Sequence, residues 1–189
     1  TQDYIPVAST ANFSTSVVAE VETTNEVVSF TDISENLSHY SEQFDNAYWS
    51  KSRCSVSADA GVAPDGTTTA DKLIPNSGLQ AASSVYILRV VAGSSYTYSV
   101  YAKPDGFDYV TINFQTAGSG STQGVRFNIS TGAVDASQNA TGTITDAGNG
   151  WYRCSMIPTT TTATTSHMIA ASAGGSFGTY FNTPVTGDG

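Results

Sequence analysis

From Cys54 onward the chain is a succession of short β-prone runs, each stopped by turn chemistry, and this pattern constrains the fold more than any other feature. Ser95–Lys103 (SYTYSVYAK) puts Tyr96, Tyr98, Val100 and Ala102 on one face and Thr97, Ser99, Tyr101 and Lys103 on the other. Tyr109–Gln115 (YVTINFQ) does the same, with Val110, Ile112 and Phe114 opposite Tyr109, Thr111, Asn113 and Gln115. A period of two fits strands with one face in a core. Further runs are expected at Cys54–Asp59, Thr69–Ile74, Ala82–Val91, Val125–Phe127, Gly132–Asp135, Gly142–Thr145, Trp151–Ile157 and Ser166–Ser172. Ala63-Pro64-Asp65-Gly66, Pro104-Asp105-Gly106 and Asn149-Gly150 supply turns between them. About ten short strands so spaced predict an all-β fold, an antiparallel β-sandwich or jelly roll. The one helical signal is Ser41–Trp49, where Ser41 can cap a turn and Phe44 and Tyr48 stand one turn apart.

Charge separates the chain into two parts. Residues 1–35 hold Asp3, Glu20, Glu22, Glu26, Asp32 and Glu35 and no base, so all seven Lys and Arg lie in residues 36–189. Val17, Val18 and Val21, then Val27, Val28 and Phe30, make two β-prone runs around the turn Thr23-Thr24-Asn25. A lone hairpin is marginal in water. The expectation is therefore an extended acidic arm or linker over 1–35 that docks on another chain or module, followed by one β-sandwich domain over 36–189. A net charge of −9 without clustered Lys or Arg argues against nucleic-acid binding. No apolar run approaches the length of a membrane span, so no insertion is expected, and no signal peptide is visible. Cys54 and Cys154 sit in strand-like runs and are read as buried free thiols rather than a disulfide framework.

Five phrases then carry a resemblance: NLSHYSEQFDNAYWSKS, APDGTTTADKL, SYTYSVYAK, FNISTGAV and ITDAGNGWYRCSM. In this order and spacing they resemble a jelly-roll module of tailed-phage structural proteins, especially tail and head fibres, similar in build to carbohydrate-binding modules and concanavalin-like lectins. The match runs over 36–189. It implies a non-enzymatic virion structural protein, a fibre or decoration module on the particle surface or tail, that binds a surface glycan or a neighbouring subunit. It also implies a homo-oligomer, trimeric in a fibre, in contact with other virion proteins. The alternatives are a carbohydrate-binding module attached to a glycan-degrading enzyme and a purely structural capsid or tail cement protein. Modules of this family continue past a phrase like Thr186-Gly187-Asp188-Gly189 into a last strand with a Trp-Gly pair. Asp3-Tyr4-Ile5-Pro6 resembles the phrase that closes an upstream copy. The expectation is a module lacking its last strand, whose open edge invites pairing.

Catalysis has little to stand on. His39 and His167 are the only histidines, neither lies in a motif, and there is no G-x-S-x-G. No cofactor is expected. A structural calcium is the one metal considered, with Asp45, Asp65, Asp71 and Asp188 in or beside turns, but no EF-hand spacing is present and solvated or turn-capping carboxylates are the favoured reading. For a glycan, strands 95–103, 109–115 and 124–128 as a meander would present Tyr101, Lys103, Tyr109, Thr111, Asn113, Gln115, Arg126 and Asn128 on one surface. Tyr101, Tyr109, Asn113, Gln115 and Arg126 are the candidate carbohydrate-binding residues, since Tyr rings stack on sugar faces and the others hydrogen-bond hydroxyls. The same face read blandly is solvated or packs on a subunit. Trp49 and Trp151, each beside a Tyr, are read as core anchors.

Overall fold

The computed structural model describes residues 36–76, 83–91, 96–116, 122–159 and 164–172. The expectations for the arm at 1–35, for Asp188 and for a missing last strand lie outside these residues. The described residues form an all-β, antiparallel two-layer sandwich with no helix. Its strands are β1 (Ser50–Ser52), β2 (Cys54–Gly61), β3 (Ala70–Pro75), β4 (Ser83–Val91), β5 (Tyr98–Ala102), β6 (Tyr109–Thr116), β7 (Thr122–Asn128), β8 (Ala133–Gln138), β9 (Ala140–Gly148), β10 (Trp151–Pro158) and β11 (Thr164–Ser172). Ten coincide with the runs expected from the sequence. The three-residue β1 is too short to announce itself by alternation.

One layer is a six-stranded sheet in the order β1-β4-β11-β6-β7-β8. Its registers line up Val85, Ile169, Ile112 and Val125 as one row across four strands, and Ile87, His167 and Phe114 as the next. All seven side chains are buried. The second layer contains the sheet β5-β10-β9 and the hairpin β2-β3. Tyr98, Met156 and Gly142 share one of its rows, and Val100, Cys154 and Ile144 another. The core is closed where these rows meet the first layer: the Tyr98 and Phe114 rings meet edge-on at 5.4 Å between centroids. Full burial of each such side chain contributes about 1.5–3 kcal/mol.

The turns follow their chemistry. Between β9 and β10, Asn149 and Gly150 both take positive φ (54° and 80°), the backbone of a tight hairpin whose twist matches its strands. At Ala63–Gly66 the Gly66 N–H donates to the Ala63 carbonyl at 3.0 Å, and Asp65 accepts from the Thr67 N–H and hydroxyl at 2.9 and 2.7 Å. Those bonds hold the Asp65 carboxyl below its ordinary value.

The expected helical turn at Ser41–Trp49 is not formed. Three successive turns replace it, with Gln43, Asn46 and Trp49 N–H groups donating to the carbonyls of Tyr40, Gln43 and Asn46, each at 3.1 Å. Side chains take the other amides that a helix would need. Phe44 N–H donates to Asp71 Oδ2 at 2.6 Å and Tyr48 N–H to Asn46 Oδ1 at 2.9 Å. The result seats Trp49 in the core, its Nε1 donating to the Tyr40 carbonyl at 2.8 Å.

Both cysteines are free thiols. Burial pushes Cys154 up to about 12, and it also raises Cys54, whose Sγ lies 3.3 Å from the Ser84 carbonyl.

Candidate binding cleft

The expected meander is not formed, because β5 does not lie beside β6. It pairs with β10, Tyr101 opposite Arg153, and faces β6 across the core. Alternation fixes which side of a strand is apolar but not which layer the strand joins, so Tyr101 and Lys103 belong to the opposite layer from Asn113 and Arg126.

On the six-stranded sheet, β6 and β7 do pair, with Tyr109 opposite Asn128 and Thr111 opposite Arg126. Their polar face is not open. Thr111, Asn113 and Arg126 are buried, so this sheet buries side chains on both faces. Arg126 is engaged there: its Nε donates to Asp135 Oδ2 at 2.6 Å, its Nη2 donates to the same oxygen, and its guanidinium carbon lies 5.1 Å from the centre of the Tyr109 ring. A bulge makes this pair. Arg126 registers with Ala136 and Phe127 with Val134, which leaves Asp135 out of the ladder and free to turn toward the guanidinium. Asn128 caps the β7–β8 turn, its Oδ1 accepting from the Ser130 and Thr131 N–H groups at 3.0 Å each. Gln115 lies on β6, with its side chain outside the description.

What the structure brings together instead is a cleft of about 380 Å³ between the two layers. Its floor is apolar: Val85, Val110, Ile169 and Ala171 from the six-stranded sheet, with Ile129 beside them. One wall is the β2-β3 hairpin through Val56 and Leu73, and the other is β5 through Val100 and Ala102. Aromatic and charged groups stand around these: Tyr101, Tyr109, Phe107 and Trp151, with Asp71, Lys72, Lys103 and Asp105. Two of the five candidate sugar-binding residues, Tyr101 and Tyr109, thus line one cavity, while Asn113 and Arg126 do not.

Lys72 Nζ and Asp105 Oδ2 are 2.8 Å apart and tie β3 to the loop after β5. With side chains 32% and 73% exposed, the pair contributes about 0–1 kcal/mol and acts as a strap. Asp71 is occupied by backbone, accepting from Phe44 N–H and, at 3.1 Å, from Asp59 N–H. Lys103 has no carboxylate partner among the described residues. Trp151 departs from the expected core role: Tyr152 packs on the core, while the half-buried Trp151 lines the cleft and donates from Nε1 to the Val62 carbonyl at 3.0 Å.

No cluster of three or more His, Cys, Asp or Glu occurs among the described residues, so Asp45, Asp65 and Asp71 do not converge on one ion position. His167 stands among Phe114, Tyr96 and Tyr98 in the core, 4.5 Å from the Phe114 ring. The cleft itself was missed by sequence reasoning because its walls are apolar strand residues indistinguishable from core.

Compared with known proteins, the chain matches no family model and no curated protein.

Proposed function

We propose that this β-sandwich is a non-enzymatic binding module of a phage particle, part of a fibre or decoration protein, and that it works by docking a neighbouring subunit at the cleft. The observation that carries the docking role is an apolar-floored cleft between the layers. Buried core side chains form its floor while the exposed Tyr101, Lys103 and Asp105 stand at its rim, and a protein partner is an occupant that can offer apolar and charged groups together. The particle comes from the five-phrase resemblance alone. Particles purified from the host that carries the gene test it: mass spectrometry finds peptides of this chain in fixed ratio to the major structural proteins. Particles that lack them overturn the virion reading.

A second reading, glycan recognition, is favoured by Tyr101 and Tyr109 lining one cavity with Lys103 and Asp105. A glycan array separates the two. Binding that is lost in Tyr109→Ala, with the far-ultraviolet circular dichroism unchanged, supports sugar recognition. Blank arrays support the subunit.

A further inference from the structure

The outward side of the six-stranded sheet is closed. Pairing sets Ser84, Ala170, Thr111 and Arg126 in one row across β4, β11, β6 and β7. Val85, Ile169, Ile112 and Val125 stand one residue away on the same strands and point into the core, so this row points away from it. Its members are nevertheless 2%, 0%, 0% and 6% exposed, and Asn113 in the next row is 1% exposed. Ser, Ala and Thr in the middle of a sheet are too short to cover one another. β5, β9, β10 and the β2-β3 hairpin pack on the core side, as do Phe44 and Tyr48 from the turns before β1. These exposures are those of one chain alone, so the cover is part of the same chain.

We propose that residues 173–189 are this cover, folded back from β11 over the outward row. Ser172, where β11 ends, stands opposite Tyr109 and two residues beyond Ala170, on the same side of the sheet. The segment therefore leaves the sheet beside the residues that are closed off. At roughly 3.3 Å per extended residue, a few residues suffice to cross the row, whose strands lie about 4.8 Å apart. Phe177, Tyr180, Phe181 and Val185 supply the bulk that Ser84, Ala170 and Thr111 lack, and rings seated there take apolar surface of both out of water. Tyr40–Gly189, which includes the sheet and this segment, is one compact unit.

The test reads the accessibility of position 111 in the full chain. Thr111 Oγ1 has no hydrogen-bond partner among the described residues, so Thr111→Cys is a mild change. Under iodoacetamide, with the modified peptides located by mass spectrometry, this thiol should react at least about tenfold more slowly than one placed by Val134→Cys, a position 41% exposed. Adding Phe177→Ser, Tyr180→Ser and Phe181→Ser should bring the two rates together, while Cys154, fully buried in the core, stays unlabelled and reports an intact sandwich. Fast labelling at position 111 of the otherwise unmodified chain, or protection that survives the triple change, overturns the proposal. A triple variant that also labels Cys154 has unfolded, and photo-crosslinking then decides. With p-benzoylphenylalanine in place of Phe177, Tyr180 or Phe181, cross-links to peptides of β4, β11, β6 or β7 of the same copy are expected, and cross-links only to other segments or other copies overturn the proposal. The cleft lies on the other side of this sheet, so either result leaves the docking reading as it stands.

Discussion

Gly142→Ala reverses the usual sign of a glycine substitution, and the reversal follows from how closely the two layers approach. Gly142 sits on β9 opposite Met156. A Cβ at this position would stand closer to Val125 Cγ1 than any real carbon contact, with Val125 Cγ2 at 3.2 Å and Phe127 Cε1 at 3.3 Å. Both neighbours are fully buried, so neither can step aside into solvent. Replacing Gly by Ala within a strand ordinarily gains about 0.5–1 kcal/mol of backbone entropy. Overpacking a closed core costs about 1–3 kcal/mol. The net expectation is a loss of about 0.5–2 kcal/mol, read as a lower urea midpoint at unchanged slope, or roughly 1–8 °C in Tm. Val125→Ala alone should cost about 2–3 kcal/mol through two lost methyl groups and the void they leave. In that background the added Cβ enters the void, so Gly142→Ala becomes neutral or stabilising, with a coupling of about 1–3 kcal/mol. Additive effects, or a Gly142→Ala midpoint above that of the parent, would refute the apposition of β9 and β7.

Stability should fall as pH rises from about 9 toward 12. The Cys154 thiol moves from 9.0 to about 12 by burial, and Tyr98 is raised by burial and then by Tyr48, so both stay protonated in the fold at pH values where the unfolded chain ionises. The unfolded state binds fewer protons there, which lowers stability by up to about 1.4 kcal/mol per pH unit per group. Cys154→Ala should flatten that slope in urea titrations, and an unchanged slope would contradict it. Asp135→Asn should cost about 1–3 kcal/mol, because it leaves the Arg126 guanidinium buried without a counter-charge. Lys72→Met at the exposed strap should change stability by less than about 1 kcal/mol; equal losses in chemical denaturation would sink the distinction. Trp151→Phe should leave blue-shifted emission that acrylamide hardly quenches, since the remaining Trp49 is 2% exposed. Trp49→Phe should leave redder, quenchable emission, and the opposite result would reverse their placement.

Much of the sandwich was legible because period-two patterning and turn chemistry act locally. SYTYSVYAK and YVTINFQ became β5 and β6 with the expected faces inward, and Asn149-Gly150 became a tight hairpin turn. Layer assignment was not legible, since it depends on pairing between distant segments. β5 meets its partner β10 some fifty residues later, Val100 opposite Cys154, and nothing near Val100 announces this. Burial of the polar face was illegible for a related reason. Thr111, Asn113 and Arg126 look solvent-facing by composition, yet a bulge that turns Asp135 toward Arg126 makes a buried charge tolerable there. The Ser41–Trp49 segment misled because Asp71, far along the chain, takes the Phe44 amide.

The cleft joins these two kinds of evidence. Val56, Leu73, Val100 and Ala102 are inward-facing residues of proper strands, and alternation marks them as core. They line a cavity because, among the described residues, the hairpin β2-β3 and the sheet β5-β10-β9 do not pair with each other. A cleft made this way has no signature of its own in the sequence, since apolar residues that line a gap between strands alternate just as core residues do. An occupant that binds the cleft of the folded chain and not the unfolded one must stabilise the sandwich, by an amount set by its concentration relative to its Kd.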